Sequence, residues 1–167
     1  MPLVKAALDG LGIRRMEVEG FEADDLLGTL SHLCSLQGGQ TTIVTGDRDS
    51  LQLIDENIHI KLVTTKGGQT GAALYTKEKF QEEYGFEPKK LIDLKALMGD
   101  SSDNIPGVKG IGEKTAKTLL QKFGSLDGVY ENLDDAAIKP KMREKLENDK
   151  EMAYLSYELA TIVPEAP

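Results

Sequence analysis

Seven carboxylates stand in three short stretches of this 167-residue sequence. Glu22, Asp24 and Asp25 fall in GFEADDLLGTL, Asp47 and Asp49 in TIVTGDRDSLQLI, and Asp100 and Asp103 in MGDSSDNIPG. The first group opens a helical pattern, the second follows a β-branched run, and the third lies in a loop. In open α/β sheets, sites form beyond the carboxyl ends of strands, where TIVTGDRD would deliver its two aspartates. If the three groups converge, the carboxylates repel one another unless several are protonated or cations neutralise them. Mg2+ or Mn2+ is the expected answer, because these hard ions select carboxylate and water oxygens. The softer ligands are scarce, with two histidines and one cysteine. A cluster this acidic has room for two ions, and such a pair activates water and stabilises both oxygens of a phosphodiester displacement. The expected chemistry is that of a nuclease or phosphatase, with Asp47, Asp100 and Asp103 as catalytic carboxylates.

Each group also has a plainer reading. Acids in the first turn of a helix complement its dipole. DRDSLQ has the form of a capping box, with Asp49 as cap and Gln52 returning the bond. GDSSDN has the composition of an Asx-type turn.

The glycine-rich GVKGIGEKTAKTLLQKFG adjoins the third group. It is not a phosphate-binding P-loop, because Glu113 stands where that pattern requires lysine, nor does it hold the third glycine of a dinucleotide fingerprint. What it offers is a tight turn leading into a helix, with backbone N–H groups and lysines at the helix start. Gly107, Val108, Lys109, Gly110, Ile111, Gly112, Lys114 and Thr115 are therefore expected to seat a phosphate of a nucleic-acid backbone without reading bases. The competing reading is a glycine connector between two helices. The basic stretch Lys139, Lys141, Arg143 and Lys145 is open to two readings, a DNA contact or a solvated helix face. His32 and His59 have no partner at metal spacing and read as structural, and the scattered tyrosines read as packing residues.

The elements that must position these groups follow from periodicity. Leu3, Val4, Ala7, Leu8 and Leu11 predict a core helix from the start of the chain, followed by a short strand in IRRMEV. EADDLLGTLSHLCSLQGG predicts an amphipathic helix on Leu26, Leu27, Leu30, Leu33 and Cys34, the last as a core thiol. TTIVT and IHIKLVTT predict strands, KGGQTG a turn, and Lys77–Tyr84 and Pro88–Met98 helices. From Pro106 onward only helical signals occur. The fold class is thus α/β followed by an all-helical part, with a boundary near Gly99. Three strands are few for a parallel or mixed sheet with helices on both faces, so part of the sheet is expected to be missing.

The composition bounds the function. With 40% apolar and 29% charged residues the chain is that of an ordinary globular protein, and no run of about 18 apolar residues predicts a membrane span. A signal-peptide pattern is absent, so a cytoplasmic protein without a membrane partner is expected. One cysteine excludes a disulfide framework. The net charge of −8 argues against a nucleic-acid partner until its distribution is read. Residues 17–56 hold nine acids and only Arg48 as base, whereas Gly107–Gly124 carries Lys109, Lys114, Lys117 and Lys122 against Glu113 alone.

GFEADDLLGTL, TIVTGDRDSLQLI, LIDLKALMGDSSDNIPGVKGIGEKTAKTLLQKFGSL and the late LATIVP resemble, in order and spacing, the 5′-3′ exonuclease domain of bacterial DNA polymerases of the first type. The resemblance implies a flap-endonuclease-like nuclease with a PIN-like α/β core over residues 1–98 and a helix-hairpin-helix region over 99–167. It implies removal of RNA primers and displaced 5′ flaps in replication and repair, with duplex DNA bearing a 5′ end or flap as partner. By motif position it makes Glu22, Asp24, Asp25, Asp47, Asp49, Asp100 and Asp103 the acidic metal cluster. Gly107 to Ala116 becomes the hairpin, where the family often holds a potassium ion on backbone carbonyls. No counterpart is found of the family's first strand, with its further aspartate, or of its basic helical arch. The chain is therefore expected to begin about a third of the way into such a domain, and to work with that N-terminal part and a polymerase domain. Two other readings remain: a duplex-binding fragment with an incomplete metal site, and a small metal-dependent phosphatase acting on mononucleotides.

Overall fold

The computed structural model describes residues 2–167. α1 (Pro2–Gly10) and an extended stretch lead into α2 (Ala23–Leu36), β1 (Thr41–Thr45) and a 3-10 turn at Asp49–Leu53. β2 (Ile58–Lys66) and β3 (Gln69–Tyr75) complete a three-stranded sheet of order β1-β2-β3. β1 runs parallel to β2 with Thr41 opposite Ile58, and β3 runs antiparallel to β2 with Ile60 opposite Tyr75. Six helices follow: α3 (Lys77–Tyr84), α4 (Lys90–Met98), α5 (Glu113–Phe123), α6 (Leu126–Glu131), α7 (Pro140–Asn148) and α8 (Lys150–Ala160).

Alternation fixes the register of β2. Ile58, Ile60 and Leu62 are buried on one face, so a one-residue slip would turn all three toward water. Phe80 and Tyr84 of α3 continue that core, their rings stacked at 4.2 Å, and Gly85 ends the helix at φ 79°. α4 is buried all round, through Leu91, Leu94, Ala96 and Leu97, and two charged residues, Asp93 and Lys95, are buried with them. Asp93 is satisfied by the backbone N–H of Leu126 at the start of α6, 2.7 Å away.

The structure departs from the sequence expectations at several points. α1 forms but buries no residue, and Leu3 is 87% exposed, so it is no core helix. The spacing of apolar residues makes a helix face; only a partner surface makes a core. IRRMEV is not a strand: Arg15 is drawn to Asp9 and Glu17 by ion pairs of 2.8 and 2.9 Å, which hold the stretch against α1 instead of in the sheet. Leu30, Leu33 and Leu36 of α2 are exposed; the helix packs through Gly28, Thr29 and Ser31, with Cys34 only half-buried. His32 is exposed, so it has no structural role as a packed residue. β3 was not expected beyond KGGQTG, because Gly71, Ala72 and Ala73 have weak strand propensity. The Gly67-Gly68 turn, with φ 59° and 78°, supplies the twist that folds β3 back on β2.

Candidate metal centre and nucleic-acid interface

The carboxylates arrive from different elements. Glu22 precedes α2 and forms a capping box with Asp25, whose Oδ2 accepts the Glu22 N–H at 3.1 Å. Asp47 and Asp49 follow β1, and Asp47 Oδ1 accepts the Asp49 N–H at 2.9 Å. Asp49 is therefore the capped residue rather than the cap, and the box expected for DRDSLQ does not form. Gln52 is engaged elsewhere, its amide bonding the Ala160 carbonyl at 2.9 Å and the Ile162 N–H at 3.0 Å. Those bonds strap the LATIVP segment across α2, helped by Asp25 Oδ1, which accepts the Val163 N–H at 2.9 Å.

Glu22, Asp24, Asp25, Asp47, Asp49 and Asp103 line one cleft of about 370 Å³, floored partly by the strap. Asp100 faces the adjoining depression, yet carboxylate oxygens of Asp49, Asp100 and Asp103 lie within 4.8 Å of one another. The three sequence groups thus share one surface, with the tightest meeting between the second and third. The Asx turn is also present, since Asp100 Oδ1 accepts the Ser102 N–H at 2.9 Å. Turn and site coexist, the turn fixing Oδ1 while Oδ2 is paired with the Lys95 ammonium at 2.7 Å.

Lys95 is the residue that sequence reading missed. It is 6% exposed and its ammonium sits among the carboxylates, paired with Asp49, with Asp100 at 2.7 Å and with Asp103 at 3.4 Å. The available signal was a lysine flanked by apolar residues in LIDLKALM. Donation from Lys95 and Ser102 holds the Asp100 carboxyl at about 2. Burial pushes Asp49 up, and Lys95 offsets this only in part. Burial opposes the charge on Lys95 itself, but the Asp100 and Asp49 carboxylates outweigh it and raise its pKa. Six carboxylates line the cleft, with no histidine or cysteine beside them, and a lysine cation already pairs with two of them. That donor set fits a hard divalent cation.

Asp100 and Asp103 are joined to the glycine turn by a compact loop. Asp100 and Ile105 exchange backbone bonds of 2.9 and 2.8 Å, the Val108 N–H donates to Leu97 O at 2.9 Å, and the Gly107 N–H donates to Ser156 Oγ at 2.9 Å. Gly99 and Gly107, at φ 72° and 61°, lie so close that a Cβ on Gly107 would run into the Gly99 backbone. Glycine is required at this crossing for both conformation and space.

The hairpin itself differs from expectation in that several of its backbone N–H groups are already engaged: besides those of Gly107 and Val108, the Ile111 N–H donates to the Val108 carbonyl at 3.0 Å. Gly112 caps α5 and Gly110 takes φ 79°, as a tight turn requires, and Val108 and Ile111 are buried as its anchors. The Lys109 N–H is not free, however; it donates to Asp149 Oδ2 at 2.8 Å. Lys145 Nζ donates to the Gly110 carbonyl at 3.0 Å. Lys109, Gly110, Gly112 and Lys114 are exposed, and Thr115 is half-buried beside them.

The sequence of the 5′-3′ exonuclease N-terminal resolvase-like domain matches residues 1–85, and that of the 5′-3′ exonuclease C-terminal SAM fold matches residues 86–167. This chain belongs to the 5′-3′ exonuclease family. DNA polymerase I of Caldicellulosiruptor bescii is 50% identical over 167 residues, which are 100% of this chain and 19% of that protein. DNA polymerase I of Bacillus subtilis is 44% identical over 100% of this chain and 19% of its own length. The chain therefore spans about a fifth of the length of these relatives. Among solved structures, T5 5′-exonuclease with bound zinc ions superposes with a TM-score of 0.80 at 24% identity, covering 98% of this chain and 58% of that one. The catalytic core of Rad2 in complex with DNA substrate superposes with a TM-score of 0.62 at 22% identity, over 95% of this chain and 52% of that one. These two likenesses establish the fold. No helix among the described residues is long and apolar enough to cross a membrane.

Proposed function

We propose that this chain carries the metal site and duplex grip of a 5′-3′ exonuclease or 5′-flap endonuclease that hydrolyses DNA phosphodiesters, removing RNA primers and flaps in replication and repair. The observation that carries this reading is the convergence of Asp49, Asp100 and Asp103 to within 4.8 Å at the edge of a cleft lined also by Glu22, Asp24, Asp25 and Asp47. Glu22, Asp24, Asp25, Asp47, Asp49, Asp100 and Asp103 would hold two Mg2+ or Mn2+ ions, with Asp47, Asp100 and Asp103 nearest the chemistry. Bound there, such ions supply Lewis-acid stabilisation of phosphate oxygens and a nucleophilic water at neutral pH. Lys95 orients Asp49, Asp100 and Asp103 by hydrogen bonding and lowers their mutual repulsion. The Ser102 N–H and Asp49 N–H each hold one carboxylate oxygen, of Asp100 and Asp47 respectively.

In this reading residues 1–98 are the PIN-like nuclease part and 99–167 the helix-hairpin-helix part, and Gly107–Thr115 grip the backbone of duplex DNA. The Gly110 carbonyl accepts a hydrogen bond from the Lys145 ammonium, so a potassium ion at this turn would use the other hairpin carbonyls or displace Lys145. In this reading further N-terminal nuclease sequence and a polymerase domain are the partners, in the cytoplasm, a reading supported by relatives that are DNA polymerases of about five times this length. The test is Mn2+ titration followed by electron paramagnetic resonance. Tight binding that Asp100→Ala weakens is expected, and equal binding in the variant would refute the site. Mg2+-dependent cutting of a 5′-flap duplex then separates a nuclease from a fragment that only binds.

A further inference from the structure

Of the basic stretch on α7 only Lys145 touches the hairpin turn, and the structure sorts the side chains into two sets. Arg143 is turned to Asp134, with Nη1 2.6 Å from Oδ1. Lys139, Lys141 and Lys145 instead line a depression of about 250 Å³ that they share with Gly110 and Thr115 of the hairpin. A hollow of about 240 Å³ holding Lys114 meets it at Thr115 and Met142. Another of about 420 Å³ holding Lys109 meets it at Gly110 and Lys145. Shared wall residues place the three side by side as a furrow from α5 past the hairpin to α7, with Asp149 the one acid among their lining residues.

The pairing of charges follows the same division. Lys117 is neutralised by Glu113 at 2.7 Å, Lys122 by Asp135, and Arg143 by Asp134. Among the described residues no carboxylate lies within ion-pair distance of Lys109, Lys114, Lys139, Lys141 or Lys145, although the chain carries a net charge of −8. A solvated helix face ordinarily carries both signs in mutual contact. Uncompensated ammoniums gathered along one furrow repel one another, and a polyanion that follows the furrow relieves that repulsion and releases counterions. Lys145 is committed to the Gly110 carbonyl at 3.0 Å, which leaves Lys139 and Lys141 exposed and unoccupied.

We propose that Lys139 and Lys141 form a second phosphate seat beside the hairpin, so that a duplex backbone is held at α7 as well as at Gly107–Thr115. This rests on the DNA reading above. The ligand is a phosphodiester of a duplex strand, recognised by charge and without regard to base sequence.

The test measures binding of a fluorescent duplex of about two helical turns by the intact chain, by anisotropy across a KCl series in EDTA, so that neither divalent metal nor cleavage enters the readout. Each phosphate contact contributes about 0.9 to the slope of log Kobs against log salt, so Lys139→Ala with Lys141→Ala should lower that slope by about 1.8. Both residues are exposed, and the variant's melting curve checks that folding is unchanged. Lys61→Ala with Lys66→Ala, on β2, removes the same charge from another element and should leave the slope as it was. An unchanged slope in the α7 variant, or equal losses in both, overturns the second seat while leaving the hairpin grip standing. A parent chain that binds no duplex overturns the DNA reading and this proposal together.

Discussion

Replacing Lys95 by methionine should move two measurable quantities in opposite directions. The side chain is 6% exposed and lies 2.7 Å from Asp100 and 3.4 Å from Asp103, besides its pair with Asp49. Breaking a fully buried ion pair costs about 3–5 kcal/mol, because the remaining charge is left without a partner. The side chains of Asp49 and Asp100 are 19% and 20% exposed and that of Asp103 is 52% exposed, so water screens part of the loss. About 2–3 kcal/mol is the expected destabilisation without metal, or about 4–12 °C in Tm for a chain of this length. Metal affinity should change the other way. Lys95 is a cation inside the cluster, and two unit charges about 4 Å apart interact by about 4 kcal/mol at an effective dielectric near 20. Even a third of that repulsion, once removed, tightens Mn2+ binding by about tenfold. Melting in EDTA reads the first effect and electron paramagnetic resonance the second. The melting difference from the parent should also shrink as Mn2+ is added, because a ligand bound to the folded state alone stabilises it by mass action. An unchanged Tm in EDTA would refute the counter-ion role, and unchanged or weaker Mn2+ binding would refute the placement of the metal beside Lys95.

Two pairs of substitutions test other parts of the fold. Burial raises the Asp93 carboxyl above 3.8, with the Leu126 N–H bond acting against it. A raised folded-state pKa means that Asp93's contribution is fully present below about 3.8 and is lost as pH rises through the folded value. Asp93→Asn keeps an acceptor for Leu126 N–H and should leave stability at pH 7 equal or higher, while Asp93→Ala orphans that donor and should lose about 1–3 kcal/mol; equal urea midpoints for the two would refute this. Gly107→Ala should lose well over the ~1 kcal/mol of a left-handed alanine, because its Cβ meets the Gly99 backbone, whereas Gly124→Ala at φ 80° faces open space and should lose only that amount, so equal urea midpoints would contradict the close approach.

The readable parts of the sequence were those in which local chemistry and tertiary demand agree. Thr76 and Gly85 bracket α3 as cap and stop, and β2 alternates because one face is buried. The meeting of the three carboxylate groups on one surface was legible for the same reason, since each group sits at an element end that turn chemistry marks in the sequence. What stayed hidden depends on contacts far apart in sequence. Lys95 becomes a site residue only when α4 is placed beside the 3-10 turn and the Asp100 loop. Asp149 lies 40 positions from the Lys109 N–H that it accepts, and Gln52 lies 108 from the Ala160 carbonyl that it holds. α1 failed in the opposite sense, because its apolar spacing is real but nothing among the described residues covers it.

The close joining of Asp100 and Asp103 to the glycine turn has a mechanical consequence. α4 presents Lys95 to the carboxylates from its last turn, and one residue pair further on its Leu97 carbonyl receives the Val108 N–H of the hairpin. The intervening loop is closed on itself by the Asp100–Ile105 bonds and tied to α8 through Ser156, so it has little freedom to flex. Under the proposed reading, a phosphate gripped at the hairpin is referenced to the same helix that orients the metal ligands. A small misplacement of reacting groups can cost about a hundredfold in rate. A flexible linker between grip and chemistry would admit such misplacement at every turnover, whereas the Gly99–Gly107 crossing removes it by allowing two backbones to approach as only glycines permit.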